Sequence, residues 1–243
     1  MRDREIDEVL EKAAQPPHEV APALLERVVG SIKSSMQPVR PLLPTWVLAG
    51  GLVLIGSAVA LADAARAGFY GFEKLSVLER AFIFPTLGIL IWVAAAEFVS
   101  EMIPGSRRRM GPVALLTLGS LVLLGVFAVL FRAYPTDHFV SAGIKCLVTG
   151  VLHAIPVALL SWLMLRRGFA VKPVAAGLVG GTLAGLAGVT VLELHCANFQ
   201  ALHVLLWHTA VVPVSGVAGA LVAWALRFWA GAGAHTSRPP NNP

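Results

Sequence analysis

PVALLTLGSLVLLGVFAVLF, residues 112–131, carries no charged side chain. A helix rises 1.5 Å per residue and a bilayer's hydrocarbon core is about 30 Å thick, so about 20 such residues cross it. A backbone facing lipid has no water to bond and must satisfy its own N–H and C=O groups, which makes the stretch helical. Working outward, five further apolar runs lie at 45–61, 81–99, 144–165, 171–192 and 203–228. Pro85, Pro156 and Pro213 fall inside these runs, where a membrane helix tolerates them. Of the 243 residues 56% are hydrophobic and only 14% charged, and the mean hydropathy is +0.74. A soluble domain carries roughly a quarter charged residues, so a water-soluble globule is excluded. The expected fold is all-α: a polytopic membrane protein of six transmembrane helices with a short helical N-terminal tail. Its expected domains are a tail at 1–43, a membrane domain at 44–230 and a disordered C-terminal tail at 231–243. No cleavable signal peptide is expected, because the first apolar run follows a polar stretch of about forty residues.

Lysine and arginine placement sets the orientation. Arg66, Lys74, Arg80, Arg132 and Lys145 fall on one side of a six-span topology, and the other fourteen of the 19 basic residues fall on the opposite side. The positive-inside rule then puts both termini in the cytoplasm. The pI near 9.7 reflects these flanking charges, and direct nucleic-acid binding is not expected.

The N-terminal tail is amphipathic. Ile6, Val9 and Leu10 follow helical spacing, and Leu24, Leu25, Val28, Val29 and Ile32 form a second, stronger stripe. Pro16-Pro17 separates the two, Pro22 suits a first helical turn, and Pro38, Pro41 and Pro44 stiffen the entry to the membrane. A helix this short is marginal alone in water, so its apolar stripe calls for a partner: a protein, the membrane surface or the inner loops.

Cys146 and Cys196 are the only cysteines. They open helix four and follow helix five, so a hairpin of these two helices returns both to the same, non-cytoplasmic level. A disulfide needs Cα atoms about 4.4–6.8 Å apart, which this topology permits. Two free thiols that merely pack are the other reading. His195, His203 and His208 accompany Cys196, and His153 lies seven residues after Cys146, two turns deeper on the same helix. Cysteine with histidine is a ligand set for borderline and soft metals, and Glu193 offers a carboxylate beside them. No CxxC or HExxH spacing is present, so the metal signal is weak: no cofactor is expected, with a soft metal ion at this cluster, or a haem held between helices by His153, His203 or His208, as the alternatives. Lys145 beside Cys146 and His195 beside Cys196 are expected to lower the thiol pKa values.

Gly177, Gly181 and Gly185 form a small-residue ladder on helix five, which lets helices approach closely. Glu97 and Glu101 near Arg107 to Arg109 read as interfacial ion pairs. The spans hold too few acidic residues for a proton pathway, and there is no P-loop or GxSxG, so neither an ion-coupled pump nor an enzyme is expected.

The connector Pro38-Val39-Arg40-Pro41, the six spans, the Cys opening helix four, then Pro156 and Leu165-Arg166-Arg167-Gly168, the Gly/Ala-rich helix five, Leu194-His195-Cys196 and Trp207-His208 together resemble the NrsF family of membrane-bound anti-sigma factors. The chain departs from that pattern at Ala197, where family members often carry proline. The resemblance implies a bacterial inner-membrane protein whose tail sequesters an extracytoplasmic-function (ECF) sigma factor. It also implies that Cys146 and Cys196 sense oxidants or heavy metals. The partners are then the sigma factor and the lipid bilayer, with no small-molecule substrate. The alternative is a small membrane transporter or metal-binding membrane protein whose thiols and histidines line a path.

Overall fold

The computed structural model describes residues 11, 22–35, 43–103, 105–106, 108–134, 139–167, 170 and 172–236. It divides into two units, 1–42 and 43–243. Among the described residues all regular structure is helical.

The first unit contains helix α1 (Pro22–Ser35), which opens on proline as its sequence suggests. Leu24, Leu25, Val28 and Val29 are all about half exposed on it, between 49% and 57%. Ile6, Val9, Leu10 and the side chain of Ile32 lie outside the described residues.

The second unit is a bundle of α2 (Thr45–Ala67), the short α3 (Tyr70–Lys74), α4 (Val77–Met102), α5 (Pro112–Leu130), α6 (Phe139–Arg167), α7 (Pro173–His195), α8 (Ala201–His203), a π-helical segment (Val204–His208) and α9 (Thr209–Thr236). Six of its helices are long and apolar enough to cross a membrane, the last counted from Ala201 through the π-helical segment. Helix starts follow local chemistry. Ser76 and Glu79 close a reciprocal capping box at α4, and α5 and α7 begin on Pro112 and Pro173.

The observed helices overrun several sequence boundaries. α2 continues past residue 61 through Asp63 and Arg66, and α9 continues past 230 to Thr236. α6 begins at Phe139 rather than 144, because Phe139 packs on Trp207 with ring centroids 5.6 Å apart. Cys146 therefore lies two turns inside its helix instead of at its mouth.

α7 is the axis of the bundle and packs against α2, α3, α4, α5, α6 and α9. From Val179 to Val189 every one of its residues is buried. Such burial on all sides requires small side chains, and the glycines supply them. A Cβ on Gly177 would stand 2.5 Å from the Gly219 carbonyl oxygen, and one on Gly185 would stand 2.8 Å from the Val212 Cα. Gly181 meets Ser215 and Gly216, so the whole ladder seats α9. Gly188 admits the Gly150 carbonyl of α6, and Gly180 admits the Phe98 ring of α4. At the opposite end from the cysteines, Glu101 pairs with Arg108 at 2.8 Å and Glu97 accepts from the Arg109 N–H at 3.3 Å, as their spacing suggested. Arg107 is outside the described residues.

Candidate functional site

Where α7 ends, the chain turns through residues 196–200 into α8, and three neighbours hold that turn. Gly71 of α3 lies so close that a Cβ there would stand 2.7 Å from both the Cys196 and Glu193 carbonyl oxygens. Phe199 stacks on Phe131 with centroids 5.4 Å apart, and the Ala201 N–H donates to the Ala133 carbonyl at 2.7 Å. Cys196 itself terminates α7, its N–H donating to the Leu192 carbonyl at 2.7 Å.

This arrangement sets the Cys196 Sγ 3.4 Å from the Cys146 Sγ of α6. Both are free thiols and half-buried. The His203 Nε2 lies 3.8 Å from the Cys196 Sγ. His208 completes the group: one donor atom from each of Cys146, Cys196, His203 and His208 lies within 4.8 Å of the other three.

The two histidines converge because of the backbone. Residues five apart on an α-helix point about 140° away from each other. Between His203 and His208 the chain is π-helical, and the Thr209 N–H reaches back five residues to the Val204 carbonyl. The widened turn brings the rings to one side, edge to face at 5.3 Å. Trp207, in the same turn, occupies the space that a Cβ on Gly143 would need.

Behind His208 stands Glu193. Its Oε1 is 2.6 Å from the His208 Nδ1, and both side chains are 0% exposed. The His208 Nε2 and Glu193 Oε2 have no hydrogen-bond partner among the described residues. The bond with Cys146, and then burial, push the Cys196 thiol above its ordinary pKa. That corrects the expectation of a thiol acidified by His195: the His195 Nδ1 turns away to the Gly68 carbonyl at 3.2 Å, and its ring packs edge-on to Tyr70.

His153 also lies elsewhere. It pairs with Asp63 of α2, both partly exposed, seven residues along α6 from Cys146. Of the four histidines singled out in the sequence, the structure gathers His203 and His208 with the thiols and sets His153 and His195 apart. Glu193, which the sequence offered as a carboxylate beside the cluster, bonds to His208, whereas Asp63, the partner of His153, was missed. The signal of Asp63 in the sequence was an acidic residue at the end of an apolar run, which a membrane helix rarely carries without a partner.

The family model described as "NrsF: Negative regulator of sigma F" matches residues 33–229, which takes in all six membrane-length helices and begins within α1. No curated protein and no solved structure matches.

Proposed function

We propose, since the chain belongs to the NrsF family and so to the negative regulators of a sigma factor, that it is an anti-sigma factor of the bacterial inner membrane with a thiol-based input. Both termini lie in the cytoplasm, as the basic-residue bias favours. The N-terminal tail sequesters an ECF sigma factor there, using the apolar face of α1 that carries Leu24, Leu25, Val28 and Val29. Oxidation of Cys146 and Cys196, or their capture of a soft metal, changes how α6 and α7 pack and lowers the tail's affinity for the sigma factor.

The observation that carries this reading is the 3.4 Å approach of two thiols fifty residues apart in sequence, one on α6 and one at the end of α7. α7 touches almost every other helix, so a bond formed or broken at its end bears on the whole bundle. A hundredfold fall in affinity needs about 2.7 kcal/mol of difference between the two packings. One disulfide or metal bridge supplies energy on that scale, about 2–4 kcal/mol for a disulfide. The transporter alternative draws less support. A cavity of about 210 Å³ in the bundle is lined mainly by apolar groups such as Leu52, Gly56, Val157 and Leu183, with the hydroxyls of Ser57 and Thr190, and by none of the clustered cysteines or histidines.

The test is capture of the ECF sigma factors of the same genome by the full-length protein in nanodiscs. Binding is expected, and Leu25→Asp with Val28→Asp should abolish it while the bundle stays folded. Absence of binding by the unsubstituted protein would refute the reading.

A further inference from the structure

We infer that Cys146, Cys196, His203 and His208 form a four-coordinate site for a divalent, borderline-to-soft cation of the Zn²⁺ or Cd²⁺ type, and that Glu193 is its positioning residue. This deepens the proposed sensory input and takes its biological meaning from that reading.

Three independent features point to a closed tetrahedral site over a bare pair of thiols. The first is spacing. With metal–sulfur bonds of about 2.3 Å and metal–nitrogen bonds of about 2.0–2.1 Å, tetrahedral geometry places neighbouring donors roughly 3.3–3.8 Å apart. The Cys146–Cys196 separation is 3.4 Å, the Cys196–His203 separation is 3.8 Å, and all four donors fall within 4.8 Å. Small side-chain rotations close the set.

The second is the carboxylate behind the ligand. A metal-bound histidine usually donates its other ring N–H to a carboxylate, which fixes the tautomer and strengthens the donor nitrogen. Glu193 engages the His208 Nδ1 at 2.6 Å, leaving Nε2 as the nitrogen for a metal. That Nε2 is fully buried and has no hydrogen-bond partner among the described residues, a costly state that a cation would relieve.

The third is the backbone. The π-helical turn at Val204–His208 is the distortion that puts two histidines five residues apart on one side. Such π turns inside α-helices occur frequently at functional sites, and here the turn presents a pair of ligand-type side chains beside two thiols.

On binding, each thiol gives its proton to solvent and each sulfur donates an electron pair to the metal. Two thiolates then balance the dication. No oxidant is involved, so metal binding and disulfide formation compete for the same sulfurs.

The experiment is titration of the reduced full-length protein in nanodiscs with Co²⁺ alone. The expected result is one equivalent bound with the intense visible bands of tetrahedral cobalt and thiolate-to-metal charge transfer. His203→Ala and His208→Ala should each alter the band pattern and weaken binding. Glu193→Gln should keep the pattern but weaken binding roughly 10–100-fold. Unaltered binding and spectrum in both histidine variants would overturn the proposal, since two thiolates would then suffice. So would a weak octahedral spectrum in the unsubstituted protein. Because substitutions in a buried cluster can unfold the bundle, ¹¹³Cd NMR of the unsubstituted protein provides a second measure. Its shift should fall in the two-sulfur, two-nitrogen range, and a shift outside that range overturns the assignment. None of these readouts involves the sigma factor, so failure to bind a sigma factor and failure to bind metal are seen separately.

Discussion

The bundle contains two histidine–carboxylate pairs, Glu193–His208 and Asp63–His153, and they differ in nearly everything but chemistry. Glu193 and His208 are wholly buried beside two thiols, on the axial helix and the turn that follows it. Asp63 and His153 are 30% and 18% exposed and join the outer helix α2 to α6 with no thiol among their described partners. Burial decides what each pair can do. In a medium that solvates poorly, an unpaired carboxylate or imidazole is expensive, so the buried pair holds its geometry tightly and can orient a ligand. The partly exposed pair lies within two membrane-length helices, where exposure is not the same as contact with water, and it ties α2 to α6.

The sharpest way to break the comparison is to remove one carboxylate at a time. Glu193→Ala strips the buried partner from His208 and is expected to cost about 3–5 kcal/mol of bundle stability. Asp63→Ala is expected to cost less, because its histidine partner is only partly buried. Thermal unfolding in one detergent measures both, and equal losses would erase the distinction. A second contrast concerns the helices that present these pairs. Gly181→Leu on α7 drives a side chain into Ser215 and Gly216 and should cost at least the roughly 1–3 kcal/mol of an overpacked core. Gly119→Ala on α5, where a Cβ meets nothing within 4 Å, should leave stability unchanged or slightly raised. The smallest effect is at the thiol. Because the Cys196 pKa is raised, the thiolate fraction at neutral pH falls below that of a free thiol of pKa about 8.5. Alkylation at Cys196 should therefore climb only at a pH above the ordinary thiol midpoint, and Cys146→Ser, which removes the first cause of the shift, should move the profile down.

Hydropathy made the six spans legible because a lipid-facing helix has almost no choice of residue. It failed where a span carries charge: 62–67 contains Asp63 and Arg66, so α2 was expected to stop six residues early, and with it the partner of His153 was lost from view. The cysteine pair was legible through topology, since a hairpin returns its two ends to one level. The histidines were only half so. His153 looked aligned with Cys146 by seven-residue spacing, but seven residues are about 10.5 Å along a helix axis, too deep to share a ligand. His203 and His208 were grouped with Cys196, but how they converge was not legible, since a π-helical turn leaves no mark in hydrophobic periodicity. The glycine ladder read correctly as close packing, although which neighbour it admits, α9, follows only from the three-dimensional arrangement.

The central claim is that the state of Cys146 and Cys196 sets the grip of the tail on its sigma factor. Its most direct measurement is the affinity of the full-length protein in nanodiscs for the ECF sigma factor it captures, with thiols reduced and then after oxidation or Cd²⁺ loading, in the unsubstituted chain and in the Cys146→Ser, Cys196→Ser double variant. The account predicts a fall of tenfold or more, about 1.4 kcal/mol, in the unsubstituted chain and a constant, tight affinity in the double variant. An affinity that stays the same across all thiol states, or that falls equally in the double variant, would contradict it.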